Sequence, residues 1–301
     1  MSSSPLGAPP EAAGGEAMAA NTRRAYANDW ARFTRWCRAR GAEALPPDPR
    51  LIGLYLADGA APGGARLSVT SLERALSGLV WNYRARGLVL DRADPRLAAV
   101  LAGIRGGQAT PPRRKEPLAA EEILAMAATL PRDLRGLRDR AILLLGFAGG
   151  LRRSELVGLD RARGPDSQGW VEILPEGALL TLRGKPGWRE VAIGRGASER
   201  SCPVLALESW LRFGRIEAGA VFRRVSRDGA RALPGRLSDR HVARLVKATV
   251  RAAGLRPELS EAERDALYAG HSLRMGLASQ AGAAEVEADR FRVNRTRAAG
   301  L

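Results

Sequence analysis

Apolar positions recur at helical spacing from the first part of the chain onward. In NTRRAYANDWARFTRWCRARG, Tyr26, Trp30, Phe33 and Cys37 follow one another at intervals of four, three and four, which is one face of a helix. Asn21 or Thr22 is placed to cap its start and Gly41 to end it. The opposite face carries Arg23, Arg24, Arg32, Arg35 and Arg38. Leu51, Leu54 and Tyr55 predict a second helix over 49–58. A third is predicted over 68–86, capped by Ser68, turned inward through Leu72, Leu76 and Leu79, and stopped by Gly87. A fourth is predicted over about 95–105. These four make a helical domain of ordinary size.

The pattern breaks at GGQATPPRRKEPL, where Gly, Pro and consecutive basic residues predict a linker over 107–118. Helices then resume at about 119–130 and 134–148. The run RAILLLGFAGG in the second of these is apolar nearly all round, as a helix at the centre of a core is. Short strands follow at 170–174, 178–184 and 189–193, separated by turns at Pro175–Gly177 and Pro186-Gly187. Further helices are predicted at about 203–214, 237–253 and 271–282. The pattern as a whole is mainly α, with an α+β second half built on helices and one small antiparallel sheet. Residues 1–17 show no periodicity and read as a disordered tail. The units expected are therefore 18–106 and 119–301.

Charge changes the picture. The formal net charge is +16, and only Lys115, Lys185 and Lys247 among the 48 basic residues are lysine. Codon bias accounts for the choice of arginine, but not for so large an excess over the acids, and nucleic acid is the default polyanionic partner. The two cysteines match no metal-ligand spacing, and no carboxylate cluster suggests a bound ion, so neither metal nor cofactor is expected. No apolar run reaches a membrane span, and the N-terminus has no signal-peptide pattern, so a cytoplasmic location is expected.

Three stretches carry candidate chemistry. In GLRRSELVGL, Arg152 follows directly on the apolar helix, and Glu155 lies three residues on, on the same face. Most such pairs are exposed ion pairs of small consequence, but an arginine set at the end of a buried helix is held rigidly, as a catalytic group must be. In TLRGKPGWREVAI, Lys185 sits in a turn between two strands. Lysine can give up a proton near neutral pH where arginine cannot, although an exposed turn lysine is the commoner case. In GHSLRMGLASQAG, His271 and Arg274 share one side of a helix.

The order Arg, Lys, His-x-x-Arg resembles the tyrosine recombinases, the phage-integrase type of site-specific recombinase, from about residue 18 to about 284. CPVLALESWL and RLSDRHVARLVKATVRAAG add to the resemblance. It implies a SAM-like helical core-binding domain, a linker and a mixed α/β catalytic domain acting on double-stranded DNA without a metal. It also implies self-association on DNA, as a tetramer. Arg152 and Arg274 would hold the scissile phosphate, with Glu155 in support, His271 beside them, and Lys185 protonating the leaving 5′ oxygen. Paired guanidiniums suit that task, because charge grows on the non-bridging oxygens as the phosphodiester is attacked.

The chain departs from the family where the nucleophile is due. After Ala284 it reads EVEADRFRVNRTRAAGL, without Tyr, His or Trp, and the tyrosines stand at 26, 55, 83 and 268. Tyr268 precedes His271 and is expected to pack in the core. The expectation is a catalytic domain incomplete at its C-terminus, from an interrupted gene. Two functions remain open: strand cleavage and rejoining in recombination or integration, and DNA binding without cleavage.

Overall fold

The computed structural model describes residues 20–61, 67–107, 115–184 and 187–278, the side chains of 20, 21 and 275–278 excepted. The tail, most of the linker, Lys185 and the stretch after Ala278 lie outside the described residues. The chain divides into two compact units, Met1–Pro112 and Arg113–Leu301.

The first unit is built from four helices, α1 (Ala20–Ala39), α2 (Pro49–Ala60), α3 (Val69–Arg84) and α4 (Pro95–Gly107). Already helical at Ala20, α1 has Asn21 and Thr22 inside it rather than at its cap. The aromatic face on α1 packs as its spacing requires: Phe33 is fully buried, Trp30 meets Tyr83 edge-on at 5.1 Å, and Phe33 meets Tyr55 at 5.1 Å. Ser68 caps α3 by accepting from the Ser71 N–H. Asp29 also lies on the buried side of α1, where Arg74 Nη1 donates to it at 2.5 Å. The five arginines of the opposite face are all exposed.

The second unit begins with α5 (Ala120–Ala128) and α6 (Leu134–Ala148), continues through α7 (Arg153–Gly158), and forms the meander β1 (Gly169–Leu174), β2 (Gly177–Gly184) and β3 (Gly187–Gly194). Then follow α8 (Pro203–Phe213), β4 (Arg223–Val225), β5 (Ala232–Arg236), α9 (Asp239–Ala252), α10 (Glu261–Leu267) and α11 (Gly270–Ala278). As its pattern predicts, α6 is central, with Ala141, Ile142, Leu143 and Leu145 fully buried and α5, α8 and α11 packed around it. Asp133 caps it by accepting from the Gly136 N–H at 2.8 Å. The three-stranded sheet is antiparallel in the order β1-β2-β3, with Val171, Leu180, Leu182 and Ile193 on the face turned to the core.

Two elements differ from the sequence reading. A second antiparallel ribbon, β4–β5, pairs Arg223 with Arg236 and Val225 with Ala232, where a single sheet was expected. Its strands are short, arginine-rich and interrupted by Pro234, so they show no alternation. The other is α10, whose capping box was legible: Ser260 accepts from the Glu263 N–H, and Glu263 accepts from the Ser260 N–H.

Candidate functional site

The site starts from the way α6 ends. Gly150 has φ +54°, a conformation that costs a residue with a Cβ and suits glycine. The Leu151 N–H bonds to Gly146 O at 3.0 Å and the Gly150 N–H to Phe147 O at 3.1 Å, the paired bonds of a Schellman stop. Leu151 is fully buried and anchors the turn. The chain therefore leaves the core helix with no slack, and Arg152 becomes the N-cap of α7 with its side chain 53% exposed.

Glu155 is the pivot beneath it, with only 8% of its side chain exposed. It accepts from the Arg152 N–H at 2.7 Å, from Arg152 Nη1 at 2.8 Å and from Arg189 Nη2 at 3.0 Å. Burial alone would push this carboxyl up. The Arg152 backbone N–H and the Arg189 and Arg152 guanidiniums outweigh it, so Glu155 is held below the usual glutamate range and stays charged. Arg189 comes from β3, on the same face as Val191 and Ile193. The sequence reading passed over it; its signal was the two-residue period that puts it on the core side of the strand.

From the other end, α7 is held by β5. Arg236 Nη1 donates to the carbonyls of Val157 (2.7 Å) and Leu159 (3.2 Å), and Nη2 to Asp160 Oδ1 (2.5 Å). An arginine bonded to the last carbonyls of a helix satisfies acceptors that have no partner within it. Arg236 was equally hidden in the sequence, because β5 itself was.

The helix that carries the His271–Arg274 motif, α11, packs beside α7. A Cβ on Gly270 would meet the Arg153 side chain at 3.4 Å and Val242 at 3.6 Å, so the start of α11 lies against the start of α7. One turn deeper, Leu273 and Leu156 both press on Gly146, where a Cβ would lie 2.9 Å from Leu156 and 3.3 Å from Leu273. Burying Leu273 leaves His271 exposed and Arg274 half-buried on α11. The start of the unit straps down the end of α10 and the start of α11: the Glu116 N–H bonds to Leu267 O at 3.1 Å, Lys115 Nζ donates to Ala266 O, and the Leu118 N–H bonds to Ser272 O at 3.4 Å.

Tyr268 belongs to that strap. It is fully buried, its hydroxyl donates to Glu116 Oε2 at 2.9 Å, and burial above all pushes its pKa up to about 12. It is a packed core tyrosine, as expected from its position. The chain's other histidine, His241, stands apart. Its Nε2 lies 2.9 Å from Asp139 Oδ1 and 3.0 Å from Arg138 Nη2, in a half-buried charge cluster joining α6 to α9. Lys185 lies outside the described residues, and its neighbours Gly184 and Gly187 pair at the end of the β2–β3 hairpin. Among the described residues no group of three or more His, Cys, Asp or Glu could hold a metal ion.

This arrangement, helical units with a three-stranded meander and arginines gathered at the mouth of a core helix, is that of an integrase-type recombinase. No protein-family model matches the chain. A protein of Selenomonas ruminantium described as an integrase/recombinase XerD homolog is 32% identical to it over 283 residues, which is 91% of this chain and 77% of that protein. A tyrosine recombinase XerD of Pseudomonas aeruginosa is 34% identical over 168 residues, 55% of this chain and 53% of its own length. Among solved structures, the XerH site-specific recombinase in a post-cleavage complex with its palindromic difH substrate aligns with a TM-score of 0.53 at 15% identity. That alignment takes in 85% of this chain and 67% of the other, a likeness of fold. The chain belongs to the tyrosine recombinase family.

Proposed function

We propose that this chain binds double-stranded DNA and holds a scissile phosphate for site-specific recombination, with Arg152, His271 and Arg274 as the phosphate-holding groups. The observation that carries this reading is the packing of the α11 start, which bears His271 and Arg274, against the α7 start, which bears Arg152. These two elements lie more than a hundred residues apart in sequence and meet where Gly270 lies beside the Arg153 side chain. Glu155 keeps Arg152 in place and adds Arg189 to the set. Lys185, at the turn beyond β2, serves as the acid for the leaving 5′ oxygen. Guanidiniums fixed before the reaction stabilise the charge that develops on the non-bridging oxygens, and arginines in phosphoryl transfer contribute roughly 10³–10⁵ in rate. The relatives are named as recombinases and the solved relative is bound to DNA, which supports DNA as the partner. Self-association on that DNA and a cytoplasmic site of action complete the proposal. Among the described residues no helix is long and apolar enough to cross a membrane.

A second reading, DNA binding without cleavage, is favoured by one observation. Tyr268, the tyrosine nearest to the His271–Arg274 motif in these residues, is buried, hydrogen-bonded and held protonated. A nicked duplex that traps covalent intermediates separates the two readings. On the second reading, residues 1–301 shift the duplex on a native gel and yield no protein–DNA adduct on a denaturing gel. An adduct would establish cleavage by this chain. Tyr268→Phe is then decisive for the attacking group: the structure requires any adduct to survive it, and loss of the adduct in a folded variant would show that Tyr268 leaves its pocket to react. A chain that fails even to shift the duplex overturns the proposal.

A further inference from the structure

The face of the meander turned away from Glu155 carries a feature that phosphate holding does not use. Side chains alternate across a strand, so Trp188 and Arg189, neighbours on β3, point to opposite faces. Arg189 goes to Glu155 on one face. On the other, Trp188 meets Trp170 of β1 with ring centroids 5.2 Å apart and planes inclined at 54°. Arg163, Gly164 and Pro165 close the side of a cleft of about 360 Å³ whose floor is these two rings. Trp188 is half exposed, an unusual position for the largest apolar side chain. Arg163 and Arg183 stand over the rims of the two rings, 5.6 Å and 5.9 Å from the centroids of Trp170 and Trp188.

We infer that this cleft binds an unpaired nucleobase, stacked on Trp188 and Trp170, with its phosphates held by Arg163 and Arg183. The inference deepens the reading of the chain as a DNA-acting protein and rests on it. A half-exposed indole beside a partly buried one, flanked by guanidiniums, supplies the two parts of a single-strand site: a π surface that any base fits, and cations that follow the backbone. A duplex offers its phosphates but no free base face, because its base faces are covered by one another. Glu172 accepts from Trp170 Nε1 at 3.2 Å, which fixes that ring. A base taken here would sit on the β2–β3 hairpin, whose other face carries Arg189 to Glu155.

Tryptophan emission gives the test, since a stacked base quenches it. The full chain is titrated with a short oligothymidylate and, separately, with a duplex. The expected result is quenching by the single strand. In Trp188→Ala, single-strand affinity should fall about 5- to 100-fold, the loss typical of one stacked base, with duplex affinity unchanged within about twofold. Trp188→Phe, which keeps a ring, should restore most of the affinity. Three outcomes overturn the cleft: single-strand affinity equal in Trp188→Ala and the parent, quenching that appears only as protein concentration rises without DNA, and equal loss for single strand and duplex. The duplex arm keeps the two readings apart. Duplex binding with no single-strand stacking removes the cleft alone, and no binding to either removes both.

Discussion

At the scale of the residue, the chain's charge is organised around a few carboxylates that hold arginines in place. Glu155 is the clearest, since a single buried carboxylate fixes two guanidiniums and a helix start. Its pKa is depressed, so the stability it contributes is present above the pKa of an unfolded glutamate and is lost as pH falls through the lower folded value. Glu155→Gln keeps the shape and removes the charge. It should cost about 1–2 kcal/mol at pH 7, because charge-assisted hydrogen bonds are worth more than neutral ones and the arginines are half exposed to solvent. The gap between variant and parent in urea melts should narrow as pH falls below the usual glutamate pKa of about 4.3; a gap of the same size at neutral and acid pH would show that the ionised carboxylate is not what stabilises the site. The histidines make the complementary point: of two in the chain, His241 is tied to Asp139 and Arg138, whereas His271 is exposed at the start of α11. Nothing in their immediate sequence distinguishes those fates. The resemblance singled out His271, and the structure then placed it on the surface.

At the scale of the element, the junction of α6, α7 and α11 decides where the cationic groups stand. The three helices meet at Gly146, with Leu156 and Leu273 both resting on its bare backbone. Gly146→Ala would gain helix propensity but place a methyl 2.9 Å from Leu156. The expected outcome is a net loss of about 1–3 kcal/mol from overpacking, with weaker duplex binding because the starts of α7 and α11 move apart. Thermal melts and gel shifts on the purified variant measure both, and an unchanged or raised Tm would show that the junction has room to spare. The same junction explains which elements were legible. The continuous apolar run of α6, the cap of α3 and the turn residues that bound β1–β3 are encoded locally. The β4–β5 ribbon is not, because its strands are held by pairing and by Arg236 rather than by any pattern of their own.

At the scale of the whole molecule, each unit has its own core and its own basic surface. On α1, Arg32 and Arg35 are exposed, and neither takes part in an ion pair within the first unit as described. A chain of net charge +16 that neutralises several phosphates should lose duplex affinity steeply with salt. The double variant Arg32→Ala/Arg35→Ala should lower the slope of log K against log salt by about 2, with no change in folding. Fluorescence anisotropy at several salt concentrations checks this, and an unchanged slope would place the DNA elsewhere than on this face of α1.

By itself, the sequence determined what short-range physics encodes: the helical first unit, the buried helix 134–148, the three-stranded meander, and the family through Arg152, Lys185, His271 and Arg274. Periodicity, caps and turn residues act over a few positions, so they can be read along the chain. Only the tertiary structure decided which of many arginines matter together. Arg189 and Arg236 converge on α7 from strands 34 and 77 to 79 residues away in sequence. Tyr268 is held in the core by a carboxylate 152 residues before it. In a chain where nearly every cation is arginine, composition cannot single one out; a buried carboxylate or a free helix carbonyl can, and those exist only once the chain has folded.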